Sequence, residues 1–173
     1  MTSVREIRQK AQQVQRGYAG DADRPLAGYV GAMGAYGAFV GGLTLLGRLA
    51  GARLPRRIGA GDTALLGAAT FKASRMLAKA AITSPLRAPF TRYEGPAGED
   101  ELNESVPGKG RAEHALGELV SCPFCLDVWV GTGLAAALVL APRPARLAAT
   151  VLTAIGAADV LHLLYDAGKK LAG

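Results

Sequence analysis

Aromatic side chains are scarce in this chain, at 6% of 173 residues, with one tryptophan and four phenylalanines. A water-soluble core of this size draws most of its burial from large apolar side chains. Here much of the apolar content is Ala and Gly, including 23 glycines, which fill a soluble core poorly but let helices approach closely in lipid. Only two histidines are present, which excludes a His-rich active site. Only two cysteines are present as well, too few to complete a four-ligand metal site alone. Acidic residues, at 14, are outnumbered by 20 Lys and Arg, for a net charge of +6. The phosphate-binding loop, the nucleophile elbow, the HExxH signature and internal repeats are all missing.

The basic residues flank apolar runs and are not interleaved with aromatics on one surface. That pattern argues against nucleic acid and suits a chain lying against anionic lipid headgroups. Mean hydropathy is +0.19, high for a soluble protein. A chain of this length is usually one domain.

The run 26–47 holds 22 residues without a charge, bounded by Arg24 and Arg48. At 1.5 Å per residue it crosses a hydrocarbon core of roughly 30 Å. It is longer than a signal-peptide core and follows some 25 polar residues, so a retained span is expected. Gly28, Gly31, Gly34, Gly37, Gly41 and Gly42 would weaken this helix in water. In lipid they form small-xxx-small faces, such as Gly37-Ala-Phe-Val-Gly41, expected to pack against helices of the same chain.

Residues 1–25 read as a basic amphipathic helix. Ser3-Val-Arg-Glu6 fits a capping box. Val4, Ile7, Ala11, Val14 and Tyr18 form an apolar stripe, with Arg5, Arg8, Lys10 and Arg16 off it. Such a helix rests on a lipid surface, or packs as a short coiled coil or against the protein's own loops.

The remaining membrane domain, 26–173, has further expected spans at 61–83, 122–141 and 147–165. The second carries Lys72, Arg75 and Lys79 on one face, and so is either a span with an inward basic stripe or an interfacial helix; the span is favoured. The fourth carries Asp159 and His162, with Asp166 following on the same face. Between them, 84–115 reads as a polar cytoplasmic loop with four prolines and the acidic cluster Glu94, Glu99, Asp100, Glu101 and Glu104. The fold class expected is all-α: an integral membrane bundle of about four short helices plus the N-terminal amphipathic helix.

Positive charge sets orientation. With four spans, one side holds Arg5, Arg8, Lys10, Arg16, Arg24, Arg87, Arg92, Lys109, Arg111, Lys169 and Lys170, eleven in all, and the other holds Arg48, Arg53, Arg56, Arg57, Arg143 and Arg146, six in all. Both termini are therefore expected in the cytoplasm, in a multi-pass protein of the cell membrane. Spans two and four then run in the same direction. Lys72 and Asp159 fall at similar depth near mid-bilayer, followed by Arg75 with His162 and Lys79 with Asp166. The two stripes are expected to face each other as an intramembrane polar network, the alternative being that the lower residues reach the interface without meeting.

The sharpest local motif is Ser121-Cys122-Pro123-Phe124-Cys125, followed by Asp127 and Trp129. Proline at a first helical position places both cysteines at a helix N-terminus, which favours a thiolate. Trp129 suits the membrane interface. Three readings stand: a thiol redox pair; a metal site, zinc being the candidate, completed by His114, Asp127 or a second subunit; or a plain helix start with Cys as a small apolar residue.

The segment Ser84-Pro-Leu-Arg-Ala-Pro-Phe-Thr-Arg-Tyr-Glu-Gly95, the run Gly117-Glu-Leu-Val-Ser-Cys-Pro-Phe-Cys125 and Trp129 resemble the bacterial membrane-protein family catalogued as domain of unknown function 1360, over roughly residues 60–165. The resemblance implies several membrane helices, a sporulation link in some members and no established activity. It singles out Arg75, Pro85, Arg87, Pro89, Cys122, Pro123, Cys125 and Trp129. The function expected is that of a small multi-pass membrane protein with a structural or interaction role and no identifiable catalysis. A membrane-bound thiol redox or metal-binding protein is the alternative, and a small transporter a more distant one. The partners expected are the bilayer, anionic headgroups, and a second copy or another protein.

Overall fold

The computed structural model describes residues 4–19, 25–98, 101–107 and 110–172. Ser3 of the expected capping box, Arg24 at the first span boundary, Glu99, Asp100 and Lys109 lie outside the described residues. Helices dominate: α1 (Val4–Ala19), α2 (Leu26–Leu49), α3 (Ala60–Lys79), α4 (Ser84–Arg87), α5 (Arg111–Ser121), α6 (Pro123–Leu140) and α7 (Pro142–Ala172). A 3₁₀ turn (Ala81–Thr83) joins α3 to α4. Two strands, β1 (Arg92–Gly98) and β2 (Glu101–Ser105), form an antiparallel hairpin.

The hairpin corrects the all-α expectation, and with it the reading of 84–115 as loop. Pro85 and Pro89 do exclude a continuous helix. Instead of leaving a solvated connector, they frame one turn of helix that delivers the chain into β1. Register irregularities between Tyr93 and Gly95 and between Pro96 and Gly98 accommodate the proline and glycines inside the strand. An isolated bridge between Ala80 and Glu101 ties β2 to the end of α3.

Long-range contacts fix the helix directions. Tyr36 and Phe39 of α2 meet Trp129 of α6, and Tyr36 Oη lies 2.8 Å from Thr132 Oγ1. Tyr29 at the start of α2 bonds Glu118 of α5. Asp62 of α3 pairs with Arg146 of α7 at 2.8 Å, and further along Lys72 meets Asp159. Ser74 bonds Asp127, whereas Thr70, one turn earlier, faces Gly131, one turn later. So α2 runs parallel to α6, α3 runs parallel to α7, and the two pairs are antiparallel to each other. α3 is the central helix, packed along both α6 and α7.

Among the described residues the buried apolar side chains are Pro25 and six alanines: Ala69, Ala73 and Ala78 of α3, Ala115 of α5, and Ala145 and Ala149 of α7. Close approach through small residues thus occurs along α3. The glycine face of α2 does not take part, contrary to the expected packing within the chain. A Cβ placed on Gly34, Gly37, Gly41 or Gly42 would meet nothing within 4 Å, because Tyr36 and Phe39 on the other side of α2 make the contact with α6.

α2, α6 and α7 are each long and apolar enough to cross a membrane, and almost none of the residues in those apolar stretches is fully buried inside the chain. α3, with its three cations, is not among them. α7 begins at Pro142, earlier than the expected 147, and runs past 165 to Ala172. Pro142 and Pro144 sit in its first turn, where a missing N–H costs nothing, and Lys169 and Lys170 suit its C-terminal dipole. α2 ends in a Schellman turn: Gly51, with φ of +64°, places Ala52 N 2.9 Å from Gly47 O and its own N 3.1 Å from Arg48 O. The apolar stripe of α1 (Val4, Ile7, Val14 and Tyr18) is exposed.

Candidate functional site

The chain's buried charge lies where α3 ends. The last carbonyls of a helix have no partner within it, and here one side chain supplies the donors. Arg87 Nη1 donates to Leu77 O at 2.8 Å and to Thr83 Oγ1 at 2.7 Å, and Nη2 donates to Ala80 O at 3.1 Å. Its Nε and Nη2 also hold Glu104 of β2 at 2.7 and 3.3 Å. Side-chain exposure is 1% for Arg87 and 4% for Glu104, so water competes with none of these bonds. The planar guanidinium fork serves a carboxylate and the helix end together, which a lysine could not do. The Arg87 carbonyl in turn accepts from Phe90 N and Thr91 N. Thr83 Oγ1 adds a donor to Met76 O at 2.6 Å. Three pieces of the chain are locked at this point: the end of α3, α4 and the hairpin.

Around this hub lie further polar contacts at the same end of the helices. Arg75 Nε pairs with Glu101 Oε1 at 2.7 Å. Ser74, 1% exposed, donates to Asp127 of α6. Glu118 of α5 accepts from Tyr29, and its other oxygen lies 3.4 Å from His114 Nε2. His114 Nδ1 is buried with no hydrogen-bond partner among the described residues. Gly117 makes the closest backbone approach: a Cβ there would lie 2.6 Å from Val106 Cγ1 and 2.8 Å from Phe90 O. Only glycine lets α5 press against the chain at the base of the hairpin, before β1 and after β2.

The residues of the expected polar network separate. Lys72 Nζ reaches Asp159 Oδ2 at 2.5 Å. Arg75 turns to the hairpin and does not meet His162. His162 and Asp166 have no ion-pair partner among the described residues, and Lys169 lies 5.3 Å from the Tyr165 ring. Lys79 likewise has no carboxylate partner there. The reason is the hairpin, which the sequence pattern did not announce: it brings Glu101 to the lower part of α3 before α7 can.

The four residues considered for a metal do not converge. Asp127 is held by Ser74 and His114 by Glu118, and among the described residues no three of His, Cys, Asp and Glu are grouped to hold an ion. Cys122 and Cys125 are free thiols, the first half-buried and the second exposed. Cys122 caps α6, its Sγ accepting from Cys125 N at 3.3 Å, with Pro123 in the first turn. Trp129 is packed, its ring centroid 5.5 Å from Phe39 and 5.3 Å from Tyr36.

Sequence reasoning missed Glu104, Ser74, Thr83, Tyr29 and Glu118 as members of this cluster. One signal was available: an acidic cluster within twenty residues of Arg87. In the sequence it sits within the stretch that reads as a polar loop.

The architecture is that of a mostly helical protein with three helices fit to cross a membrane, held at one end by a buried arginine hub. Residues 65–165 match the family described as Protein of unknown function (DUF1360), and the chain belongs to that family. The matched region contains the hub, the hairpin, the cysteine motif and the ion pair. No curated protein and no solved structure matches the chain.

Proposed function

We propose that this is a small multi-pass membrane protein of the cell membrane with a structural or interaction role, crossing four times through α2, α3, α6 and α7. One observation carries the reading: the four helices alternate in direction, and the hub, the hairpin, α5, the start of α2 and the end of α7 lie on one side of them. A membrane protein keeps irregular backbone and polar networks out of the lipid, and this division does so. α3 fails as an isolated apolar span, but its alanine face is covered by α6 and α7, and Lys72 has a carboxylate. A charge inside a bundle is tolerated when it is paired.

The side bearing the hub is the cytoplasmic one, on the Lys and Arg balance. The basic face of α1 meets anionic headgroups there, with its exposed apolar stripe dipping into the interface. The open glycine face of α2 and the exposed Asp159, His162 and Asp166 stripe of α7 favour an interaction role, with a second copy or another membrane helix as partner. Nucleic acid is not a partner in this reading.

Reporter fusions test the topology. Fusions at residues 1, 97 and 173 should report cytoplasm, and one at residue 55 the opposite side. A cytoplasmic signal at 55, or an external signal at either terminus, overturns the four-crossing arrangement.

A further inference from the structure

Unpaired cysteines are among the most buried of side chains, where they act as small apolar groups. Cys125 is exposed and Cys122 only half-buried. Cys125 N lies 3.3 Å from Cys122 Sγ, so the two cysteines are neighbours at one helix start. Pro123 fixes the first turn of α6 between them. A disulfide requires Cα atoms about 4.4–6.8 Å apart, a condition met by residues three apart on one helical turn. The Cys125 N–H points at Cys122 Sγ from 3.3 Å, supplying the donor a thiolate sulfur needs. The pair also occupies the joint between two elements: Cys122 ends α5 and caps α6. Nothing in the packing calls for sulfur at an exposed first-turn position.

We propose that Cys122 and Cys125 form a reversible dithiol–disulfide site that exchanges with small-molecule disulfides. The half-buried, capped Cys122 thiolate attacks one sulfur of the incoming disulfide. The sulfur–sulfur bond of the small molecule breaks, a mixed disulfide forms on Cys122, and one small thiolate leaves. Cys125 then gives its proton to solvent and attacks Cys122 Sγ, closing the internal bond and releasing the second thiolate. Two electrons pass from the chain to the disulfide, which leaves as two thiols. The reverse sequence reduces the pair. Exchange of this type runs through the thiolate and depends on which sulfur is accessible. This site does not depend on the number of membrane crossings.

The test uses the full chain in detergent, equilibrated with graded mixtures of glutathione disulfide and glutathione, then alkylated and weighed intact. Both thiols should disappear together into one internal bond that dithiothreitol reverses. Cys125→Ser should arrest as a mixed disulfide on Cys122, and Cys122→Ser should react at Cys125 at least tenfold more slowly. The proposal is overturned if the thiols survive mixtures that oxidise ordinary dithiols, if one is lost without the other, if the bond forms between two chains, or if the two single variants react at equal rates. Unchanged thermal unfolding of the reduced variants shows that the rates report on the sulfurs and not on the fold.

Discussion

Replacing Arg87 by Met keeps most of the side-chain volume and removes the guanidinium. Glu104, 4% exposed, is then a buried carboxylate without its cation. The carbonyls of Leu77 and Ala80 lose the donor that reaches them from α4. Breaking a buried pair by removing one partner costs about 3–5 kcal/mol, and each orphaned carbonyl adds up to roughly 1–3 kcal/mol where water cannot enter. These terms share one site and do not sum. About 3–5 kcal/mol is therefore the expected loss, or about 6–20 °C in melting temperature at the roughly 2–4 °C per kcal/mol of a chain this size. The loss should be local first, with the hairpin released from α3 while α6 and α7 stay packed. The assay is thermal unfolding in detergent by circular dichroism, paired with limited proteolysis at the hairpin. Arg87→Met combined with Glu104→Leu should recover part of the loss, since no unpaired charge remains. A single variant that melts within about 1 kcal/mol of the wild type, or a double variant worse than both singles combined, would refute the argument that this buried pair anchors the hairpin.

Gly117→Ala should destabilise by about 1–3 kcal/mol, because its methyl group collides with Val106 and the Phe90 carbonyl; a neutral melting curve would mean that α5 can retreat. Gly51→Ala should cost about 1–2 kcal/mol through its left-handed backbone, read from the same transition. A double-mutant cycle on Lys72→Met and Asp159→Leu measures their coupling in a bilayer mimic. Less than about 1 kcal/mol is the value for a pair bathed in water, and a larger value is expected if the bilayer surrounds it. Cys122→Ser with Cys125→Ser should leave expression and unfolding close to wild type, since Pro123 and the apolar run set α6; a large loss of stability would point to a structural metal instead.

The helices were legible because lipid-compatible runs announce themselves by length. The 22 uncharged residues from 26 to 47 locate α2 to within two residues at its C-terminal end, and Pro123 marks the start of α6. The parallel course of α3 and α7, and the meeting of Lys72 with Asp159, agree with depths counted on the expectation of alternating crossings. The hairpin was not legible. Its strands hold glycine and proline and little alternation, so neither period nor propensity distinguishes them from loop. They are strands because Glu104 and Glu101 are held by Arg87 and Arg75, partners supplied by tertiary structure. The α2 glycines misled for a related reason: a small-residue face shows that a close approach is permitted, and does not say which helix makes it.

Lys72 and Asp159 are separated by 87 residues, and that separation has a temporal side. A ribosome adding about 5–20 residues each second delivers the carboxylate roughly 4–17 seconds after the ammonium. Asp127, the partner of Ser74, comes 53 residues after it, within that interval. Through those seconds a nascent α3 carries Lys72 with no α7 to receive it, and Ser74 waits for α6. On the proposed four-crossing topology the second crossing therefore settles last, and α7 acts as the latch on a helix made long before it.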